Sequence, residues 1–178
     1  SNIGSIKVST PIVSSPMDTV TEARMALDMG RLGGLGIIHR FMSPEDQVMN
    51  LRFVAKEASL NKQNIPVIPA IGVGHSERGR LKKILSGIRP FSIDAVAIDI
   101  ANGHSILMKD AINFVRDVCG ESVDIIAGNV ATGEGFHYLA ELGANAVRVG
   151  IGGGSICKTR IMTGFGVPTL TSVISAYS

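Results

Sequence analysis

The feature that most constrains this chain is a series of six short apolar runs beginning at Pro11 (PIVSS), Leu35 (LGIIH), Val67 (VIPAI), Ala95 (AVAID), Asp124 (DIIAG) and Ala146 (AVRVG). Their starts lie 24, 32, 28, 29 and 22 residues apart. Runs that are apolar throughout, without polar alternation, mark strands covered on both faces, as in a parallel sheet wrapped by helices. Each interval leaves room for one helix, so the chain reads as consecutive βα units. The helix signals agree. Ser43-Pro44-Glu45-Asp46 supplies an N-cap, a proline at the first helical position and first-turn acids. Thr132-Gly133-Glu134 opens a helix that stops at Gly143, a residue suited to a left-handed cap. Further helices are expected around 20–31, 76–86, 105–118 and 171–177.

Six such strands could form a doubly wound open sheet or most of a closed barrel, and the polar residues decide between them. Ser15, His39, Gly72, Asp99, Asn129 and Gly152 all fall at or just after the carboxyl ends of their strands. A barrel brings all six ends to one rim, whereas an open sheet gathers ligands mainly at its switch point. The expectation is therefore an α/β fold, a TIM (β/α)8 barrel with about six of its eight βα units in this chain. Complete barrels usually need about 250 residues, so residues 1–178 read as a single, C-terminally incomplete barrel domain. An open sheet that is whole at this length is the alternative.

Composition narrows the partners. Hydrophobic residues make up 45% and charged residues 18%, which fits an ordered core. A net charge of +2, scattered Lys and Arg and 4% aromatics provide neither a basic stripe nor a stacking platform, so a small molecule is expected and a nucleic acid is not. Cys119 and Cys157 do not suggest a disulfide framework, and no apolar run reaches the roughly 18 residues of a membrane span. A soluble, cytoplasmic protein is expected. No zinc-ligand spacing, Walker motif or G-x-G-x-x-G occurs, so a nucleotide would be held by barrel loops.

The residues with chemistry cluster at the strand ends. Cys157 follows a loop with glycines at 150, 152, 153 and 154, which allow close approach of a ligand and expose N–H groups. Ser155 can donate to a phosphate oxygen, Lys158 and Arg160 would favour thiolate if near Cys157, and Thr159 can donate to a substrate or leaving group. The competing reading of Cys157 is a small buried core residue. Asp99 can accept from ligand hydroxyls such as those of a ribose, or can cap a helix or pair with a cation. Asn129 at the end of the next strand offers a donor and an acceptor together. His39-Arg40 reads as a cationic contact for phosphate or as a salt-bridge element, and His104 as a solvated or capping residue. Met17 reads more simply as core than as a ligand contact.

Ser14-Ser15-Pro16-Met17-Asp18-Thr19-Val20, Gly36-Ile37-Ile38-His39, Asp99-Ile100-Ala101-Asn102-Gly103-His104-Ser105, Ala127-Gly128-Asn129-Val130 and the Cys157 loop together resemble the IMP dehydrogenase/GMP reductase family, in family order across nearly the whole chain. The resemblance implies a (β/α)8 barrel that binds a purine nucleoside monophosphate and a nicotinamide cofactor at its rim, as a homotetramer. It implies that Cys157 attacks purine C2, that Thr159 assists the leaving group, and that Ser155 holds the phosphate. Ser15 and Met17 would contact the nucleotide, while Asp99 and Asn129 would face the ribose and cofactor. Carbonyls of Gly152, Gly154 and Cys157 would match the family's monovalent cation site, a potassium ion. Within the family, Asp-x-Ala-Asn-Gly-x-Ser and Thr163-Gly164-Phe165-Gly166 lean toward GMP reductase, with NADPH as cofactor. So does the direct run from the helix after Ser43 to the strand at Val67, which leaves no space for a CBS module. Ser-Ser-Pro-Met-Asp and Gly-Ile-Ile-His lean toward IMP dehydrogenase with NAD. Lys158 departs from the threonine usual in both. A non-catalytic nucleotide-binding or assembly protein is the remaining alternative.

Overall fold

A computed structural model of the protein describes residues 1–155 and 157–178, the Lys158 side chain excepted. Two short antiparallel strands, β1 (Asn2–Ile3) and β2 (Ile6–Lys7), form a hairpin ahead of the main sheet. Six strands follow in strictly sequential parallel order: β3 (Val13–Ser14), β4 (Leu35–Ile38), β5 (Ile68–Ile71), β6 (Ala95–Asp99), β7 (Asp124–Val130) and β8 (Ala146–Val149). Helices α1 (Ala23–Arg31), α2 (Pro44–Leu60), α3 (His75–Gly87), α4 (Ile106–Cys119) and α5 (Gly133–Glu141) alternate with them, and α6 (Lys158–Thr163) and α7 (Thr169–Tyr177) close the described chain. The sheet curls. One cavity of about 400 Å³ is lined both by Val13, Ser15 and Leu35 from its first strands and by Ala146, Val147 and Arg148 from its last. This is the half-barrel that the strand cadence predicts, in place of a flat doubly wound sheet.

Side chains sort by the two-residue period of a strand. Leu35, Ile37, Ile68, Ala70, Ala95, Ala97 and Ile126 form an inner layer with Ile6 and Val8 of the hairpin. Ile38, Ile71, Val96, Ile98, Ile125 and Ala127 face outward into a larger layer shared with Leu51, Val54, Leu81, Ile84, Met108, Ile112 and Leu139 of the helices. Fully burying one such aliphatic side chain contributes about 1.5–3 kcal/mol, so two apolar faces per strand explain the unbroken runs in the sequence. Gly36 lets α1 lie directly on β4, because a β-carbon there would stand 2.4 Å from Ala26 Cα.

The helix starts are where the capping chemistry puts them. Ser43 Oγ accepts from the Asp46 N–H at 3.0 Å with Pro44 at the first helical position, and the Thr132 and Ser105 hydroxyls cap α5 and α4. Two strands begin later than their apolar runs. Ile12 N–H turns back to Thr10 O, so the β3 ladder starts at Val13. The Val67 N–H donates to the Asp94 carboxylate at 2.8 Å, so β5 starts at Ile68. The hairpin has no counterpart among the sequence expectations. It is seated by Ser5, whose N–H and hydroxyl both donate to Asp124 Oδ2, at 2.6 and 2.8 Å. Among the described residues, no helix is long and apolar enough to cross a membrane.

Candidate functional site

Because all six strands are parallel and sequential in one curled sheet, their carboxyl ends share one rim. On β6 and β7, Asp99 pairs with Gly128, and Gly128 in turn pairs with Arg148 of β8. Gly128 is required by this crossing, since a β-carbon there would lie 2.7 Å from Arg148 Cβ. The Arg148 guanidinium forms an ion pair with Asp99 Oδ1, and Asn129 Nδ2 donates to the same oxygen at 3.1 Å and to Ile100 O at 3.1 Å. Asp99 and Asn129 are thus brought together, and the cation partner considered for Asp99 is present as Arg148. Arg148 was not singled out from sequence, although the signal existed. It is the one charge in the run AVRVG and falls on the inward phase with Ala146, where a buried charge requires a partner. Asp99 Oδ2 and Asn129 Oδ1 accept no hydrogen bond among the described residues, so the pair retains acceptors toward the rim. Ser15 lines the same cavity as Arg148, whereas Met17 is 56% exposed and belongs to neither core layer.

The loop after β8 forms a second group. Gly150 N–H donates to Val130 O at 2.7 Å, and Val167 N–H to Ile151 O at 2.9 Å, which anchor the loop at both sides. Arg160 reaches back to donate to Gly152 O at 3.3 Å and Ser155 O at 3.1 Å. Cys157 is the N-cap residue of α6, and its thiol is held below the ordinary cysteine value, chiefly by the Arg160 backbone N–H. Desolvation opposes it as the next largest effect, and the Thr159 hydroxyl, the Thr159 backbone N–H and the Arg160 charge add smaller lowering effects. The sequence expected a loop here; instead α6 starts directly after Cys157, although the Cys157 side chain makes no cap hydrogen bond. Lys158, considered as a further activator, lies outside the described side chains. Cys119, by contrast, is pushed up by burial, with Arg116 opposing. Ser155 is exposed at the edge of this loop. Among the described residues, no hydrogen bond joins the Cys157 group to Asp99, Asn129 or Ser15; β8 and its loop connect them.

The carbonyls considered for a cation are engaged. Gly152 O accepts from the Arg160 guanidinium, Gly154 O from the Cys157 N–H at 3.2 Å, and Cys157 O from the Ile161 N–H at 3.4 Å. The Arg160 guanidinium thus takes one of the two lone pairs of Gly152 O, and backbone N–H groups take one each on Gly154 O and Cys157 O. His39 departs from its expectation as a phosphate contact. It is 1% exposed, with Nε2 turned toward Asp18 and Glu22, and so is closer to the salt-bridge alternative. Arg40 lies over the Phe41 ring at 4.9 Å and beside Gly72. The His104 ring packs against Tyr138 at 4.7 Å, tilted by 43°, and its backbone N–H donates to Asn102 Oδ1 at 3.1 Å, consistent with a structural role.

The family model of the IMP dehydrogenase/GMP reductase domain matches residues 2–178. The chain belongs to the IMP dehydrogenase/GMP reductase family. Among its relatives, the inosine-5'-monophosphate dehydrogenase of Cryptosporidium parvum is 34% identical over 205 residues, covering 94% of this chain and 49% of that protein. The GMP reductase of Edwardsiella ictaluri is 37% identical over 164 residues, covering 92% of this chain and 45% of the relative. The GMP reductase of Phytophthora infestans is 35% identical over 166 residues, with 92% and 43% covered. The chain spans about half the length of the curated relatives it matches. Relatives of both names align across both groups of site residues, so the family is shown and its branch is open.

Proposed function

We propose that this chain carries the nucleotide-facing part of a purine nucleoside monophosphate oxidoreductase, and that the reaction is NADPH-dependent reductive deamination of GMP to IMP and ammonia. The observation that carries the reading is the place of Cys157, which follows the glycine loop after β8 and caps α6, where its thiol is held below the ordinary cysteine value chiefly by the Arg160 backbone N–H. The thiolate attacks purine C2, and a carbon–sulfur bond forms as the C2–N2 bond breaks. Splitting one substitution into two steps through a covalent adduct lowers the barrier of each. The Thr159 hydroxyl, beside the sulfur, holds a proton near the departing amine, which leaves as ammonia. Ser155 and the loop glycines face the phosphate, with Ser15 and Met17 along the nucleotide. Asp99 and Asn129 fit a ribose, since each keeps a free acceptor oxygen while Arg148 fixes the carboxylate. The nicotinamide, when bound, would supply a hydride to C2, and the carbon–sulfur bond would break in that step, which returns the Cys157 thiolate and releases IMP.

The reductase branch is favoured by chain spacing as well as by motif. Aligned with the Edwardsiella reductase, 92% of this chain occupies 164 positions, almost without net insertion, while the Cryptosporidium dehydrogenase needs 205. The second reading is IMP dehydrogenase with NAD, favoured by that relative's match over 94% of the chain. A homotetramer in the cytoplasm accompanies either reading. Full-length protein mixed with GMP and NADPH should consume NADPH, followed by its absorbance. Reduction of NAD with IMP, and none of the former, would reverse the choice. Cys157→Ala should abolish turnover and retain nucleotide binding; retained turnover would remove the nucleophile.

A further inference from the structure

The loop between β3 and α1 carries Ser15 and Met17, and it is held in a form that the chain does not adopt by itself. Thr19 sits at φ +61°, a region that non-glycine residues rarely occupy and keep only where their surroundings hold them. One support is Thr21, fully buried, whose hydroxyl donates to Ser15 O at 2.5 Å. Since that proton is committed, Ser14 Oγ is the donor in its 2.5 Å contact with Thr21 Oγ1. The other support is His39, at the end of β4. Its backbone N–H donates to Thr21 O at 3.2 Å, and its ring nitrogen Nδ1 accepts from the Phe41 N–H at 3.1 Å. A ring nitrogen that accepts carries no proton, so the neutral imidazole must hold its proton on Nε2. That nitrogen faces Glu22 Oε1 at 3.5 Å and Asp18 Oδ1 at 3.8 Å, the two carboxylates on either side of Thr19.

These three side chains place their oxygen and nitrogen atoms within 4.8 Å of one another, close enough to suggest a metal. The Phe41 N–H argues against one. A metal on Nε2 takes that lone pair and moves the proton to Nδ1, where it meets another donor; metal-bound histidines instead donate from the second nitrogen to an acceptor.

We propose that His39 is a positioning residue whose Nε2–H, donated to Glu22 with the Asp18 carboxylate beside it, sets the Ser15–Met17 loop for the nucleotide. The inference rests on the purine-nucleotide reading of this site. Asparagine at 39 can still accept from the Phe41 N–H but has no donor where Nε2 lies, whereas glutamine extends an amide N–H toward the carboxylates. In full-length protein, His39→Asn should raise KM for the nucleotide about five- to tenfold, the scale of one lost charged hydrogen bond, with kcat within about twofold. His39→Gln should recover most of the loss. Glu22→Ala, an exposed side chain whose removal spares the core, should raise KM similarly, and the double variant should be no worse than the larger single effect. An unchanged KM in both His39→Asn and Glu22→Ala overturns the proposal, as does equal loss in the Asn and Gln variants.

A second readout needs neither substitution nor turnover. Nitrogen-15 NMR of the wild-type protein at pH 7 should show His39 as the Nε2–H tautomer, unchanged by added Zn²⁺ or Mn²⁺. An Nδ1–H tautomer or a metal-induced shift of Nε2 overturns the clamp. Absence of any purine-nucleotide binding would instead remove the proposed function and leave the tautomer measurement to judge His39.

Discussion

Replacing Arg148 with methionine should destabilise the chain and do so through Asp99. The two side chains are 25% and 18% exposed, between the surface and the interior. Exposed ion pairs contribute about 0.2–1 kcal/mol, whereas removing one partner of a fully buried pair costs about 3–5 kcal/mol. Two features keep the present case below the upper range. Solvent reaches about a fifth of each group, and Asn129 Nδ2 still donates to the carboxylate after the arginine is gone. The expected cost of Arg148→Met is therefore about 1.5–2 kcal/mol, equivalent to a fall in Tm of roughly 3–8 °C for a domain of this size. Asp99→Asn keeps the acceptor for Asn129 and removes only the charge. A double-mutant cycle of the two substitutions, by urea unfolding at pH 7, should give a coupling of about 1–2 kcal/mol. Additivity within about 0.5 kcal/mol would refute the view that Arg148 holds the Asp99 carboxylate.

The two cysteines should alkylate in different pH ranges. Cys157, lowered by its N–H and hydroxyl donors, should reach full reactivity with iodoacetamide below the ordinary thiol pKa, and Cys119 above it, with mass spectrometry reporting each site; the opposite order would refute the assignment. Thr159→Val should move the Cys157 midpoint upward by only part of its displacement, because the Arg160 N–H is the larger cause. Asp94 is raised by burial, against the Val67 N–H. It therefore favours the folded state below the usual carboxylate value and loses that contribution as pH rises through its folded value, so Asp94→Asn should gain stability relative to wild type between pH 4 and 7. Leu51→Ala, at a fully buried position of α2, should cost about 3–4 kcal/mol in urea unfolding.

The parts of the fold written in local signals were legible. Ala95, Asp124 and Ala146 open strands where their apolar runs begin, and Ser43-Pro44 and Thr132 open helices, because burial on both faces and side-chain capping are decided within a few residues. Asp99 and Asn129 were found as strand-end polar groups, and they meet as expected. What escaped depends on distant partners. Arg148 pairs across 49 residues, and the β1–β2 hairpin has strands of two residues, too short for any periodicity. From sequence His39 reads equally as a phosphate contact or a salt-bridge element, because nothing in Gly-Ile-Ile-His-Arg tells that Asp18 and Glu22 fold over it. The α6 helix was concealed by the glycines before it, which dominate a local reading of that segment.

The seating of the hairpin on Asp124 also orders events in time. Ser5 and its carboxylate partner are 119 residues apart, so during synthesis the hairpin waits for β7 to be made. At about 5–20 residues per second that interval is on the order of ten seconds, far longer than a hairpin needs to form. Over the same interval Ile6 and Val8 wait for Ile126 of β7, the last strand residue of the buried inner layer around them. On the ribosome, the hairpin is thus made well before the carboxylate that seats it, and it settles on the barrel floor only once β7 has been laid down.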